Sequence, residues 1–185
     1  MKFALAASFI YTVLSAVQAL PAPGADHLPP ASTPPELCCY PTVPLLRAYQ
    51  PTIHDHFYTT NAAEMQNAVS TLGYNQEGNA ATIHPDETPI TVPLYRLYNP
   101  TAYDHFYTTS ASERDNAATN LGYSEEGITG YVYEEQWCGT VPLYRLYNPS
   151  IVDHFYTTNA AERDNAANNL GYHYEGIAAY VDPKA

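Results

Sequence analysis

Apolar and polar positions recur along this chain with a period of 49 residues. The segment VPLYRLYNP starts at Val92 and again at Val141, and the related segment VPLLRAYQP starts at Val43. Strand-forming side chains between two prolines are typical of a short β-strand. A constant spacing over three copies indicates that one structural unit is repeated. The spacing divides the chain into the units 43–91, 92–140 and 141–185.

The second unit shows the predicted elements most clearly. Val92–Tyr98 predicts a first strand, and Asn99-Pro100-Thr101 predicts a turn because Asn and Pro favour turns. His105–Thr108 predicts a second strand that pairs back on the first as a hairpin. The segment Tyr123–Tyr133 is expected to form two short strands around Glu126-Gly127.

A helix is predicted between the two hairpins. Ser110 and Glu113 have the spacing of a capping box, in which the serine accepts from the Glu113 N–H and the glutamate reaches back to the cap. Gly122 is typical of the position just past a helix C-terminus, so the helix should run to Leu121. Ala117 and Leu121 lie on its thin apolar face, which we expect to pack on the sheet.

The resulting unit is ββαββ, and the fold class is α+β. A single unit cannot bury both faces of its hairpin. Three units can do so side by side or around an axis. We favour three 49-residue repeats closed into one pseudo-threefold domain over 43–185, because three copies are few for a solenoid and distinct capping repeats are missing from the sequence.

The start of the chain predicts secretion. Lys2 precedes an apolar run, Phe3–Val17, that is too short to span a membrane, so residues 1–19 are expected to be a signal peptide. Residues 20–42 contain seven prolines and predict an extended linker or pro-segment. The mature protein should therefore be released outside the cell rather than anchored.

Charge narrows the set of partners. The formal charge is −12, and it becomes −13 once Lys2 is removed with the leader. A surface this acidic repels phosphate groups, so neither nucleic acid nor membrane is expected as a partner. The chain also has 18 tyrosines, a side chain that suits both polar interiors and wet binding surfaces.

The three cysteines predict one disulfide in an oxidising compartment. Neighbouring cysteines rarely bridge each other, so the bond should join Cys138 to Cys39 or to Cys38 and close a loop of about 100 residues. The alternative is that all three thiols are reduced and buried.

An arginine occupies the same strand position in every unit, at Arg47, Arg96 and Arg145. Buried arginine is normally paired, so one interpretation is an ion pair within the unit, with Asp104 or Glu126 as the partner. The other is a forked donor to a ligand carboxylate or to sugar hydroxyls.

The segment Asp-His-Phe-Tyr-Thr-Thr is also repeated three times. His105 and Tyr107 share one strand face, whereas Asp104 points to the other. The histidine is either structural or part of a ligand-facing His–Tyr pair. Three histidines around a threefold axis would also suit zinc, but an adjacent Asp-His pair is a weak metal signal, and we expect neither a metal nor a cofactor.

Catalytic motifs do not emerge from the sequence. The glutamates at 64, 113 and 162 are best explained as helix caps, and we find no nucleophile with a base and no phosphate loop. Every polar candidate occurs three times, which suits multivalent binding better than an active site. We therefore predict that the protein is not an enzyme, and a hydrolase is the least favoured function.

The first copy departs from the other two at Leu46, Gln50 and Met65-Gln66. This favours the second and third copies as the places where ligand binds. The predicted ligand-binding residues are Tyr95, Arg96, Tyr98, Asn99, Asp104, His105, Tyr107, Tyr144, Arg145, Tyr147, Asn148, Asp153, His154 and Tyr156.

The string VPLYRLYNP…DHFYTT…E…NA…LGY…EG…YV over residues 43–182 resembles a family of secreted tandem-repeat domains of unknown function. The family occurs in fungal secreted proteins and is appended to bacterial extracellular hydrolases, including wall-degrading enzymes. It offers no catalytic residues to carry over. The resemblance implies a secreted accessory module.

We therefore predict a secreted, multivalent, lectin-like module that binds an extracellular glycan or cell-wall polymer. The alternative is a secreted interaction or effector protein, or a structural wall protein, with a secreted or surface protein as its partner.

Overall fold

The computed structural model describes residues 38–184. The predicted signal peptide at 1–19 and residues 20–37 of the predicted linker lie outside the described residues. Residues 38–42 precede the first strand and contain a cysteine that forms a disulfide.

Each unit has the element order β-β-α-β, and equivalent elements lie 49 residues apart. The first unit consists of β1 (Val43–Gln50), β2 (Asp55–Thr59), α1 (Ala62–Thr71) and β3 (Asn75–Ile83). The second consists of β4 (Val92–Asn99), β5 (Asp104–Thr108), α2 (Ala111–Asn120) and β6 (Ser124–Val132). The third consists of β7 (Val141–Asn148), β8 (Asp153–Thr157), α3 (Ala160–Asn169) and β9 (His173–Val181). The repeat and the mixed α+β class agree with the sequence prediction.

Each unit forms an antiparallel three-stranded sheet with its first strand in the middle, in the orders β2-β1-β3, β5-β4-β6 and β8-β7-β9. The two short strands predicted in Tyr123–Tyr133 are two parts of one strand, β6, that pairs with β4 throughout its length. Register shifts bend this strand next to Glu126 and Thr129. Gly127 has a φ of +106°, a conformation that side-chain-bearing residues rarely adopt, which explains the glycine at the first bend.

The helix boundaries follow the predicted caps. The Ser110 hydroxyl accepts the Glu113 N–H at 3.2 Å, and Gly122 follows the helix with a φ of +78°. Two details differ from the prediction. The Glu113 carboxylate turns away from the cap to bind an arginine, and Leu121 is 56% exposed instead of packing on the sheet, where Ala117 is the buried residue.

The edge strands β2, β5 and β8 meet one another, and the tyrosine in each of them joins two units. The Tyr58 N–H donates to the Tyr107 hydroxyl, and that hydroxyl donates to the Tyr58 carbonyl. Tyr156 binds the Tyr107 backbone in the same way, and Tyr58 binds the Tyr156 backbone. Edge-strand groups that would otherwise be buried without partners are thereby satisfied.

One buried apolar cluster contains residues of all three units, including Leu45, Leu94 and Leu143 beside the three tyrosines. Three further clusters lie between the sheet and the helix of each unit. The ends of the third strands also pair between units: His84 with Tyr131, Tyr133 with Tyr180, and Asp182 with Thr82. Each unit therefore contacts both of the others.

A disulfide joins Cys38 to Cys138, one of the two predicted pairings, and Cys39 is exposed outside it. The bond ties the segment before the first unit to the segment before the third. A disulfide is consistent with an extracellular protein. Within residues 38–184, no helix has the length and apolar character needed to cross a membrane.

Candidate functional site

The repeated arginine binds two carboxylates from two different units. The Arg96 fork contacts Glu64 of the first unit, with Nη1 and Nη2 at 3.0 and 2.9 Å from its two oxygens. Its Nε lies 2.9 Å from Glu126 of its own unit. The guanidinium also lies over the Phe57 ring, 5.4 Å from the centroid. The predicted pairing within the unit is present with Glu126, whereas Asp104 has other partners.

The same arrangement recurs at the other two junctions. Arg145 binds Glu113 of the preceding unit and Glu175 of its own, and Arg47 binds Glu162 of the third unit and Glu77 of its own. The glutamates at 64, 113 and 162, which the sequence marks as helix caps, therefore connect each helix to the strand of another unit.

Electrostatics hold these groups in their charged forms. Burial opposes the charge on Glu113, but hydrogen bonds from Arg145 and the Thr108 hydroxyl outweigh it and lower the pKa of this carboxyl. Burial likewise opposes the charge on Arg145, and the hydrogen bond to Glu113 keeps its pKa above the usual value. The junction is a fixed charge network rather than a set of exchangeable groups.

The repeated histidine is held by an aspartate of the preceding unit. The His105 N–H and Nδ1 contact the two oxygens of Asp55 at 2.9 and 2.6 Å. Because a carboxylate only accepts, Nδ1 carries a proton and the ring orientation is fixed. Nε2 points the other way and lies 3.6 Å from Glu126.

The aspartates form a buried cluster. Asp55, Asp104 and Asp153 are fully buried, and their nearest carboxylate oxygens lie within 4.8 Å of one another. Each accepts hydrogen bonds from the backbone and ring of a histidine and from a tyrosine hydroxyl; for Asp104 the donors are His154 and Tyr123. Asp104 and Asp153, predicted as ligand-binding residues, thus serve to position histidines.

Tyr107 and Tyr156, also predicted as ligand-binding residues, lie in the common core. Both are 1% exposed, and their hydroxyls bind backbone groups of another unit. Burial raises the pKa of both phenols well above the usual value. These two hydroxyls connect units and are inaccessible to a ligand.

The remaining predicted tyrosines fall into two groups. Tyr98 and Tyr147 lie beside the histidines, with ring centroids 4.5 and 4.6 Å from His105 and His154. Tyr95 and Tyr144 lie on the helix side of the sheet, where Arg114 and Arg163 stack on them at 4.4 Å.

The predicted asparagines hold the hairpin turns. The Asn99 carboxamide accepts the N–H groups of Thr101 and Ala102 and donates to the Leu121 carbonyl. Asn148 has the equivalent position in the third unit, where it accepts the Ser150 N–H and donates to the Leu170 carbonyl. Both side chains are buried and act on the backbone.

Arginine, histidine and glutamate meet in a pocket at each junction between units. The pocket between the first and second units has a volume of about 270 Å³, and its counterparts have volumes of about 210 and 380 Å³. One wall is the helix and aromatic residues of one unit, and the other is the hairpin of the next. The residues lining the 270 Å³ pocket include Phe57, Glu64, Asn67, Leu72, Tyr74, Arg96, Tyr98, His105 and Glu126.

A family model described as a domain of unknown function (DUF5648) matches residues 44–182, which include all three units. The chain belongs to this family. No curated protein and no solved structure matches the chain.

In this DUF5648 domain, sequence reasoning found residues of the hairpin wall in two of the three pockets and missed the helix wall in all three. The helix wall contributes Asn67 and Leu72 and their counterparts, which recur at the same 49-residue spacing and could have been found from it. Sequence reasoning also ranked the first copy low. Arg47 and His56 of that copy line the largest of the three pockets.

Proposed function

We propose that this DUF5648 domain is a secreted, non-catalytic module that binds carbohydrate in the pockets between its units. One observation carries the proposal: the same set of an aromatic ring, an arginine, a histidine and two glutamates is assembled at each of three junctions. Sugar sites need an apolar surface for the C–H face of the ring and fixed polar groups for its hydroxyls. Tyr98 and Phe57 supply the first, and Glu126 and Asn67 supply the second.

Pocket size favours a single sugar ring or the end of a chain. Volumes of about 210–380 Å³ lie at or below the lower end of the range for pockets that enclose drug-sized ligands. A polymer would therefore present one residue to each pocket and continue outside it.

We further propose that the three units close into one pseudo-threefold domain. The three strand-end pairings and the three tyrosine contacts each run from first to second, second to third and third to first unit, which supports closure. Three pockets on one body would bind a repetitive polymer with avidity, even if each site is weak.

The state of the carboxylates supports a binding role over catalysis. General acid catalysis needs a carboxyl whose pKa is raised towards neutrality. In the pocket between the second and third units, arginine lowers the pKa of Glu113 and binds both of its oxygens.

Retention on insoluble chitin, β-glucan and peptidoglycan tests the proposal. We expect the purified domain to be retained on at least one of them. The triple variant Tyr49→Ala, Tyr98→Ala, Tyr147→Ala, which removes the ring beside each histidine, should lose retention. Tyr174→Ala removes an exposed tyrosine outside the pockets and should be retained like the unmodified protein. Passage of the unmodified domain through all three polymers would contradict the proposal.

The rims of the pockets favour a second candidate, a protein partner. Leu72, Leu121 and Leu170 each line a pocket and are 54–56% exposed, more than is usual for leucine. Binding of a defined surface protein without retention on polysaccharide would favour this alternative.

A further inference from the structure

We propose that each pocket selects a sugar residue that carries a free primary amine, rather than its N-acetylated, neutral or acidic counterpart. This inference rests on the proposed function, because it names the class of sugar that the same pockets take. It follows from the charges and from the unused hydrogen-bonding capacity of the pocket walls.

Each junction carries a net negative charge whatever the state of its histidine, once the buried aspartate behind that histidine is counted. At the junction of the first two units, Arg96 and a charged His105 face three carboxylates, those of Glu64, Glu126 and Asp55. Two positive charges against three negative ones leave −1, and a neutral imidazole leaves −2. The other two junctions have the same composition, so the count applies to all three pockets.

The charge of the guanidinium is already matched by two carboxylates. The Nη1 and Nη2 atoms of Arg96 bind the two oxygens of Glu64, and Nε contacts Glu126. A sugar carboxylate that approached the remaining N–H groups of Arg96 would lie close to both glutamates and be repelled by them. This arrangement disfavours uronic acids and other anionic sugars.

The pocket does have acceptor capacity. Oε2 of Glu126 lies 2.9 Å from Arg96 and 3.6 Å from His105, whereas no hydrogen bond from residues 38–184 reaches Oε1. The Glu126 side chain is 31% exposed and lines the pocket, so this oxygen is accessible to a ligand. A primary ammonium supplies three donors and a positive charge, which matches both the unused oxygen and the charge of the pocket.

The aromatic wall fits the same ligand. The Tyr98 and Phe57 rings both line the pocket and lie 4.5 and 5.0 Å from the His105 ring, between centroids. An ammonium near aromatic faces gains a cation–π attraction that an acetamide lacks. The charge of −12 on the whole chain adds a long-range attraction for a cationic polymer.

Titration calorimetry at pH 6.0 with four oligosaccharides of equal length tests the inference. The probes are β-1,4-linked oligomers of glucosamine, N-acetylglucosamine and glucose, and an oligomer of galacturonic acid. A primary amine is charged at this pH. We expect the glucosamine oligomer to bind about tenfold or more tightly than the other three, with an affinity that falls as salt rises.

The outcomes separate this inference from the proposed function. Equal or tighter binding of the N-acetylated, neutral or acidic oligomer would overturn the amine preference and leave the carbohydrate function standing. Absence of binding to all four oligomers and to the three insoluble polymers would overturn both.

A set of variants tests the carboxylate directly. The triple variant Glu77→Gln, Glu126→Gln, Glu175→Gln removes one charge from each pocket and keeps the side-chain shape. We expect its preference for the glucosamine oligomer over the glucose oligomer to fall to less than about threefold. Its matched control, Glu87→Gln, Glu125→Gln, Glu134→Gln, removes three exposed charges outside the pockets and should keep the preference. An unchanged preference for the glucosamine oligomer in the pocket variant would contradict the role given to these glutamates. If the variant does not fold, the comparison of the four oligomers on the unmodified protein still tests the inference.

Discussion

The Tyr107 hydroxyl binds both backbone groups of Tyr58, accepting from its N–H and donating to its carbonyl, at 2.8 Å in each case. A side chain from one unit thus occupies the place where a further strand would pair with the edge of another. The arrangement satisfies two buried backbone groups with one phenol, and it fixes the position of the second unit relative to the first.

Tyr107→Phe should destabilise the protein without changing its fold. The substitution keeps the ring but leaves a buried N–H and a buried carbonyl without a partner, at a cost of about 2–4 kcal/mol. Urea unfolding followed by circular dichroism measures the loss. Tyr95→Phe, which removes a hydroxyl that makes no hydrogen bond among the described residues, should change stability little. Equal stability of the two variants would show that the central hydroxyl contributes nothing.

Stability should fall in acid through the glutamates at 64, 113 and 162. Burial opposes their charge, yet their arginine and threonine partners lower the pKa of all three. A lowered native pKa means that the stabilisation is fully present above the unfolded pKa, about 4.3, and is lost as pH falls through the native value. Thermal unfolding between pH 6 and pH 2.5 measures this dependence.

Glu113→Gln is the matched variant for that experiment. It should be less stable than the unmodified protein at pH 6, and the difference should shrink as the pH falls below 4. A difference that stays constant or grows in acid would contradict the proposed role of the carboxylate.

The side chains of Arg96 and Glu64 should stabilise each other across the junction between the first and second units. Arg96→Met removes the partner of two carboxylates at a site where the arginine side chain is 15% exposed, and we expect a loss of about 2 kcal/mol after allowing for the half-exposed glutamates. A double-mutant cycle with Glu64→Gln measures the coupling. Arg114, whose ion pair with its neighbour Asp115 lies within one unit, is the control, and Arg114→Met should cost less stability than Arg96→Met. Additive losses in the cycle would mean that the two side chains do not stabilise each other.

Loss of the Cys38–Cys138 bond should lower stability by about 2–5 kcal/mol, because the bond closes a loop of 100 residues in the unfolded chain. Unfolding of Cys138→Ser, compared with the oxidised protein, measures the loss. Cys39→Ser leaves the bond in place and should lose less stability than Cys138→Ser. A Cys138→Ser variant as stable as the oxidised protein would contradict the contribution of the bond.

Local features of the fold could be predicted from the sequence because short-range interactions determine them. Ser110 caps its helix through the N–H three residues ahead, and Gly122 ends it, as expected from spacing alone. The hairpin strands were predicted in the same way. The bend that unites Tyr123–Tyr133 into one strand was missed because turn-forming residues such as glycine also mark bulges.

The candidate site was harder to predict because near-identical units offer equivalent partners. Glu113 could pair with Arg96 of its own unit or with Arg145 of the next, and nothing in the local sequence distinguishes the two. In the structure Glu113 pairs with Arg145, because the helix of one unit packs beside the hairpin of the next. The adjacent residues Asp104 and His105 likewise bind partners in different units.

The shared construction of the pockets also limits how these sites can diverge in evolution. A unit provides the helix wall of one pocket and the hairpin wall of the next, so a substitution in one copy alters a single wall. A substitution on the helix and a substitution in the hairpin of one copy therefore act on two different pockets. The first copy departs from the others at Leu46, Gln50 and Met65, yet it has Arg47 and His56 at the junction with the third unit.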